Sequence, residues 1–497
     1  MLAVQEDDHV NVRFGNGLRM FVKAGSPRIW EKICTEDGRE MLGPALLLGK
    51  DLSGKTYQAN AGRVEIERNG PLSAVITRSG MVMDEQGCTL GHYSVRLTCR
   101  QHERALHLEM NVSNTTKDQD FLIREIFWQA ELPGAPRQLR GPLGEFPVGS
   151  DAKLLLSADP ESQKYASSQF ADGQISASSE SSQALHLDSG DFRVQFLQAG
   201  KYYPAMLGAA KDGRTLRGYF WPAAPVKALS LWRGLSATRE FRLEFNPENS
   251  PEYFDDPAVV LPSSEDFAKS GIMIALAPQN LEEFPLFEQI MNSDGALERC
   301  HWDSIAEKFQ YGLFDYGDHF GDGGWANLES YEDYSLFHRA LRAESAEIFS
   351  AATAAARHYR DVDTNQNRFL PSTHSANHVI GGVGFGHAWV QGILSDYLLT
   401  GNLRTREVAW KVAEAIKNMP PNHSSIASGR NFGFYLLTLA NCYGVFNDPA
   451  FVQRFREQLQ YQIEKHSAPP AASEMRMQRT DLPRQGSLFY TSYSGLV

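Results

Sequence analysis

Three stretches gather residue types that do chemistry. The densest runs from Tyr311 to Asp333, where Asp315, Asp318, His319 and Asp322 lie close together among Gly312, Gly317, Gly321, Gly323 and Gly324. Glycines let a backbone approach a ligand closely, and closely spaced acids with an imidazole can hold a cation. The run lacks the spacing and the terminal Glu of an EF-hand. A loop leading into a helix and tied by Asx turns explains many of the same residues. The second stretch holds histidines: His358 at the end of a helical stripe, followed by Asp361-Val362-Asp363; His374 and His378 at i, i+4; and His387 after Gly381, Gly382, Gly384 and Gly386. A His-x-x-x-His pair suggests zinc, but this one sits in a loop-like segment and lacks the intervening Glu. His387 stands at the start of a helix, where the dipole favours the neutral imidazole that a general base needs. Any one of these histidines could equally cap a helix or fill a core. In the third stretch, Arg430 precedes the apolar Leu436, Leu437 and Leu439. Its planar fork suits a carboxylate, and a capping ion pair is the competing reading. No G-x-S-x-G, Walker A or dinucleotide fingerprint is present, which disfavours phosphoryl and hydride transfer.

Two kinds of periodicity must position these residues. In the first half apolar residues alternate: Val64 and Ile66 before the turn dipeptide Asn69-Gly70, then Val95, Leu97 and Cys99, then Leu106, Leu108, Met110 and Val112, and later Phe192, Val194 and Phe196, and Phe241, Leu243 and Phe245. Period two predicts antiparallel strands with one wet face, in a large sandwich. The Ser-rich stretch from Ser157 to Ser189 reads as loops and edge strands. In the second half the period is helical: Phe349, Ala352 and Ala356; Trp389, Ile393 and Tyr397, closed by Gly401; Val408, Val412 and Ile416; and Phe451, Phe455 and Leu459 behind an Asp448-Pro449 start. Short connections predict antiparallel neighbours, the pattern of an α/α toroid, complete or incomplete. The expected fold is therefore a multidomain β-then-α chain. An antiparallel β-sandwich covers residues 1–262, a linker 263–300, an α/α toroid-type domain 301–466 and a mobile tail 467–497.

Composition narrows the function. The chain has 497 residues with 48 Lys and Arg against 60 Asp and Glu, a net charge of −12. Nucleic acid is a poor partner for so acidic a chain. No run of apolar residues is long enough to span a membrane. The acidic segment from Met1 to Asp8 lacks the apolar core of a signal peptide, so a cytoplasmic chain, or one whose signal has been removed, is expected. Five widely spaced cysteines argue for buried thiols rather than a disulfide framework or a Cys-ligated zinc.

The order of several short motifs resembles the exo-rhamnogalacturonan-lyase-like family, which includes the YetA-type bacterial proteins. In the first half the likeness rests on residues 64–72, on Tyr202-Tyr203-Pro204 and on Phe220-Trp221-Pro222. In the second it rests on Asp315-Tyr316-Gly317-Asp318, Trp325, Asn327, Tyr331, Asp333, Ala356-Arg357-His358, Asp361-Val362-Asp363, His387-Ala388-Trp389-Val390-Gln391-Gly392, and Arg430 with Gly433 and Leu436. The resemblance implies a β-sandwich followed by an α/α toroid, acting on an acidic polysaccharide or oligosaccharide by β-elimination. That reaction needs a group to neutralise the uronate carboxylate, a base for the adjacent proton and an acid for the leaving oxygen. Arg430 and Asn327 are the expected carboxylate and enolate donors. His387 or His374 is the base, and Tyr331 the acid, or the base if deprotonated. Trp325 and Trp389 would stack on sugar rings, with His378, Asp333 and Asp318 also binding substrate. No cofactor and no metal ligand is expected, with a divalent cation such as calcium left open. A glycoside hydrolase with paired carboxylates drawn from Asp315, Asp318, Asp333, Asp361 and Asp363, and a non-catalytic carbohydrate-binding protein, are the alternatives.

Overall fold

The computed structural model describes residues 1–116, 120–134, 138–159, 163–180, 185–223, 227–247, 259–272, 276–291, 310–318, 320–321, 324–328, 331–373, 378, 385–423, 426 and 429–467. The chain divides into two compact units, Met1–Ala258 with Tyr311–Phe314, and Val259–Gln310 with Asp315–Val497.

The first unit is antiparallel β-structure. A five-stranded sheet in chain order runs from Ala3–Glu6 to Glu40–Leu42. A larger strand network, from Ala45–Asp51 to Ser236–Phe245, closes on itself. The expected alternation is visible in its centre. Leu106 pairs with Leu243 and Leu108 with Phe241, and Leu97 lies opposite Leu108, so one face is continuous aliphatic and aromatic core. The opposite face is not wet, as the period-two reading expected. Glu109, Arg242 and Glu244 are buried there, and ion pairs satisfy them: Arg96 with Glu67 and Glu109, and Arg242 with Glu103 and Glu244. Alternation in sequence reports only that the two faces differ in polarity. The Ser-rich stretch contributes Lys164–Ala171 and Gln174–Ser179 as a hairpin.

The second unit is helical. Two short helices, α1 (Ser264–Ser270) and α2 (Pro285–Met291), lie in the segment expected as a linker. Six longer ones follow among the described residues: α3 (Glu332–Ala343), α4 (Ala346–His358), α5 (Val390–Thr400), α6 (Leu403–Lys417), α7 (Gly429–Phe446) and α8 (Pro449–Ser467). Their boundaries follow from local chemistry. Ser345 accepts from the Ile348 N–H and starts α4, Gly401 closes α5 in the left-handed region, and Asn402 caps α6 by accepting from the Thr405 N–H. Asp448 accepts from the Ala450 N–H at the start of α8. The helical stripes meet in one core that includes Phe337, Phe349, Ala352, Ile393, Val408, Val412, Ile416 and Tyr435. The expected β-then-α organisation is what the chain adopts. The tail expected to be mobile lies outside the described residues. Among the described residues no helix is long and apolar enough to cross a membrane.

Phe337 is fully buried and meets the Phe349 ring edge-on at 5.5 Å. Phe337→Ala is expected to cost about 3–5 kcal/mol, measured as a lower midpoint in denaturant unfolding. An unchanged midpoint would show that α3 does not anchor this core.

Candidate functional site

The acids and histidines of the first two sequence clusters meet in a buried group: Asp318, His358, Asp363 and His378, with one donor atom from each within 4.8 Å of the others. Three segments bring them together. Asp318 sits in the glycine-rich loop, where its Oδ2 accepts from the Asn327 N–H at 3.0 Å and its Oδ1 from the Leu328 N–H at 3.3 Å. Gly317 has φ 105°, and a Cβ there would lie 2.5 Å from the Ala354 carbonyl and 2.7 Å from the His358 Cβ, so only glycine lets the loop press on α4. His358 ends α4, and the chain continues as a π-helical turn, Tyr359–Asp363, closed by the Thr364 N–H donating to the Tyr359 carbonyl. In an α-helix residues five apart face different ways; the wider π turn returns Asp363 to the side of His358. His358 Nε2 lies 3.3 Å from Asp363 Oδ1 and 3.7 Å from Asp318 Oδ2. His378 completes the group, with Nδ1 3.5 Å from Asp318 Oδ2 and Nε2 3.2 Å from Asp315 Oδ1.

Burial opposes a proton on His378, but the Asp315 and Asp318 carboxylates outweigh it and hold the pKa up at about 9. Burial also pushes the Asp363 carboxyl above its ordinary range, against the pull of His358. Hydrogen bonding inside the group is incomplete. Neither ring nitrogen of His358 and neither carboxylate oxygen of Asp363 makes a hydrogen bond of acceptable geometry.

A second group forms at the starts of α3, α5 and α7, around Trp389. Tyr331 meets the Trp389 ring at 4.7 Å and Phe434 at 5.2 Å. The His387 ring lies 5.7 Å from it, and the Arg430 guanidinium 5.8 Å. Tyr331 takes a left-handed φ of 62° as the residue before α3, and its hydroxyl faces Gln391. Burial raises the pKa of that hydroxyl, so Tyr331 keeps its proton. Asp333 is fully buried against α5; a Cβ on Gly392 would overlap its carboxyl. Desolvation is the main cause that pushes the Asp333 carboxyl up to about 8, with Glu332 and Asp363 adding to it and the Tyr334 N–H opposing. Tyr359 joins the two groups: its hydroxyl donates to the His387 carbonyl and accepts from the Trp389 N–H, both at 2.9 Å. Beneath them Asp361 is held by the guanidinium of Arg360, which also reaches Thr405 Oγ1 at 3.2 Å.

Tyr331, His387, Trp389 and Arg430 are thus brought together, as are Asp318 and His378. His374, His319 and Asp322 lie outside the described residues. Five expectations need correction, two of them for Asp318 and His378, which are 1% and 4% exposed and turned into the buried group rather than offered to a substrate. Asn327 is buried and its Nδ2 donates to the Thr373 and His378 carbonyls, both at 3.0 Å, so both amide hydrogens are used in holding the loop, not offered to an enolate. Trp389 is 1% exposed and packs as core among three aromatic neighbours and Arg430. Asp333 is enclosed in the same way. Trp325 is partly exposed, and its indole stacks on the His378 ring at 4.3 Å. His358 was not selected from the sequence as a site residue, and Asp363 only as a candidate hydrolytic carboxylate. Their five-residue separation does not signal a shared face unless the π turn is known.

No family model matches the chain, and no curated protein matches it in sequence. Among solved structures, a putative aldose 1-epimerase from Escherichia coli K12 is similar at 11% identity and TM-score 0.29, over 47% of this chain and 97% of that one. A TPR-domain containing protein from Parabacteroides distasonis matches at 12% identity and TM-score 0.35, over 91% and 78%. A bacterial glucoamylase complexed with acarbose matches at 8% identity and TM-score 0.26, over 91% and 65%. At scores this low none of these likenesses carries weight. None of the three is named as a lyase.

The Asp333 carboxyl gives a pH signature. Its folded pKa of about 8 lies above the ordinary 3.8, so between those values the unfolded chain ionises while the folded one keeps its proton. Its contribution to stability therefore falls as pH rises through that window and levels off above it. Asp333→Asn removes the contribution. Thermal unfolding from about pH 5 to about pH 8 should show a smaller loss of Tm in the variant. Parallel curves would place the Asp333 carboxyl in the ordinary range.

Proposed function

We propose that the chain is a carbohydrate-active enzyme and that its helical unit cleaves a uronic-acid-containing glycan by β-elimination. The observation that supports this reading is the convergence of a phenol, an imidazole and a guanidinium, Tyr331, His387 and Arg430, on one indole at the starts of three helices. The three groups match the three demands of the reaction. The planar fork of Arg430, partly exposed, neutralises the uronate carboxylate and stabilises the charge that develops beside it. His387, or His374, takes the proton. Tyr331, which keeps its own proton, passes it to the leaving oxygen. Burial does not separate the two reactions, since Tyr331 and His387 are themselves 7% and 9% exposed, but hydrolysis lacks a pair of exposed acids among the described residues. Asp318, Asp333 and Asp363 are enclosed and Asp361 is ion-paired. Of the candidate acids only Asp315 is substantially exposed, at 41%, and a hydrolytic pair needs two facing the substrate.

The test is incubation of the full chain with a panel of acidic polysaccharides, polygalacturonate, rhamnogalacturonan, glucuronan and alginate, following the ultraviolet absorbance of the unsaturated uronate. At least one should give a rising signal. Arg430→Ala should lower kcat/KM by about 10²–10³, the usual effect of removing one preorganised donor, and Tyr331→Phe should lower kcat. Release of reducing sugar from a neutral glycan, with no absorbance from any acidic one, would replace β-elimination with hydrolysis.

A further inference from the structure

The buried group around His358 has the wrong bonding for an ion-pair network and the right spacing for something else. Native proteins satisfy more than about 90% of buried polar groups, because a buried donor or acceptor without a partner costs its desolvation outright. Here the His358 side chain is 1% exposed and that of Asp363 0%, and none of their four polar atoms makes a hydrogen bond. Of these atoms, His358 Nε2 lies near Asp363 Oδ1 and Asp318 Oδ2, and one donor atom of each residue lies within 4.8 Å of one from Asp318 and one from His378.

We propose that Asp318, His358, Asp363 and His378 form a tetrahedral site for a divalent transition-metal ion, zinc by the nature of the ligand set. Zinc bonds of 2.0–2.1 Å to nitrogen and oxygen set tetrahedral ligands about 3.3 Å apart. Of the six edges, three measure 3.3, 3.5 and 3.7 Å, close to that value, and all six lie within 4.8 Å. Two imidazole nitrogens and two carboxylates favour zinc over calcium, which takes six to eight oxygens. Binding displaces the His378 proton, and two carboxylates, two then-neutral imidazoles and a divalent cation sum to zero charge, which suits a site enclosed by protein.

The surroundings fix the ligands as an outer shell does. Asp315 lies on Nε2 of His378 and leaves Nδ1 directed inward. The Asn327 and Leu328 N–H groups hold the Asp318 carboxylate, and the Asn327 amide pins the His378 carbonyl. With four ligands that are all buried among the described residues, the ion ties Asp318, the π turn and His378 together, in the manner of a closed structural site. This departs from the sequence expectation of no metal ligand. It does not rest on the glycan reading, because metal binding is measured without substrate.

The full-length chain is stripped with a chelator, dialysed, and titrated with zinc chloride and, separately, cobalt chloride. Expected are about one zinc per chain by elemental analysis, a higher Tm with zinc, and a visible cobalt spectrum of tetrahedral intensity. Asp363→Asn and His358→Gln should lose stoichiometric zinc and the Tm response, while the exposed control Glu347→Gln keeps both. If the ligand variants fail to fold, the wild-type cobalt spectrum and zinc-dependent Tm decide the matter alone. Less than about 0.1 zinc per chain, a weak octahedral cobalt spectrum, or stoichiometric zinc retained in both variants would overturn the site.

Discussion

Removing two carboxylates and two imidazoles from water at one end of a helical unit is the constraint on which this architecture turns. Each group carries a desolvation cost that only a partner can offset. Three otherwise independent segments have to arrive together: the loop bearing Asp318, the end of α4 with its π turn, and the segment bearing His378. Asn327 does much of the assembly, since its backbone N–H holds Asp318 and its side-chain amide holds two carbonyls of the His378 segment. The left-handed backbone at Asn327 and Leu328 lets consecutive N–H groups face one carboxylate. Backbone strain and buried charge thus coincide at one place, as they often do at functional sites.

A second polar layer supports the first. Arg360 is buried, braced by Asp361, Thr405 and Asn402, while Arg404 reaches Gln366, whose own amide holds the Arg360 carbonyl. Such networks add little net stability compared with apolar packing, but they admit few alternative arrangements. The β unit uses the same device in another geometry, with arginine–glutamate pairs covering a sheet face that would otherwise be solvated. In both units the apolar core supplies the driving force, with the buried polar groups paired inside it.

Much of the second unit could be read directly from the sequence, because its helices carry both a stripe and punctuation. Val408, Val412 and Ile416 mark the buried face of α6, and Gly401 and Asp448-Pro449 mark boundaries that side-chain and left-handed caps enforce. The β unit was legible wherever one face is apolar, as at Leu106 and Leu108. The five-stranded sheet of residues 3–42 was not anticipated. The site was legible by residue type rather than by partner. His358 and Asp318 are joined only by the fold, and nothing local says that Trp389 would be boxed in by Tyr331 and Phe434 while Trp325 stays partly open. Asn327 illustrates the same limit, since an amide that positions a loop and one that contacts a ligand look identical in one dimension.

The π turn carries an implication of its own. One additional residue per turn is what separates Tyr359–Asp363 from the ordinary helix before it. Were the same residues to run on with regular α-helical pitch, their hydrogen bonds intact, Asp363 would rotate off the side where His358 stands. Here helical pitch is itself a form of specificity: many side-chain exchanges along the turn leave that arc unchanged, whereas a return to α-helical pitch dismantles the cluster without removing any of its members.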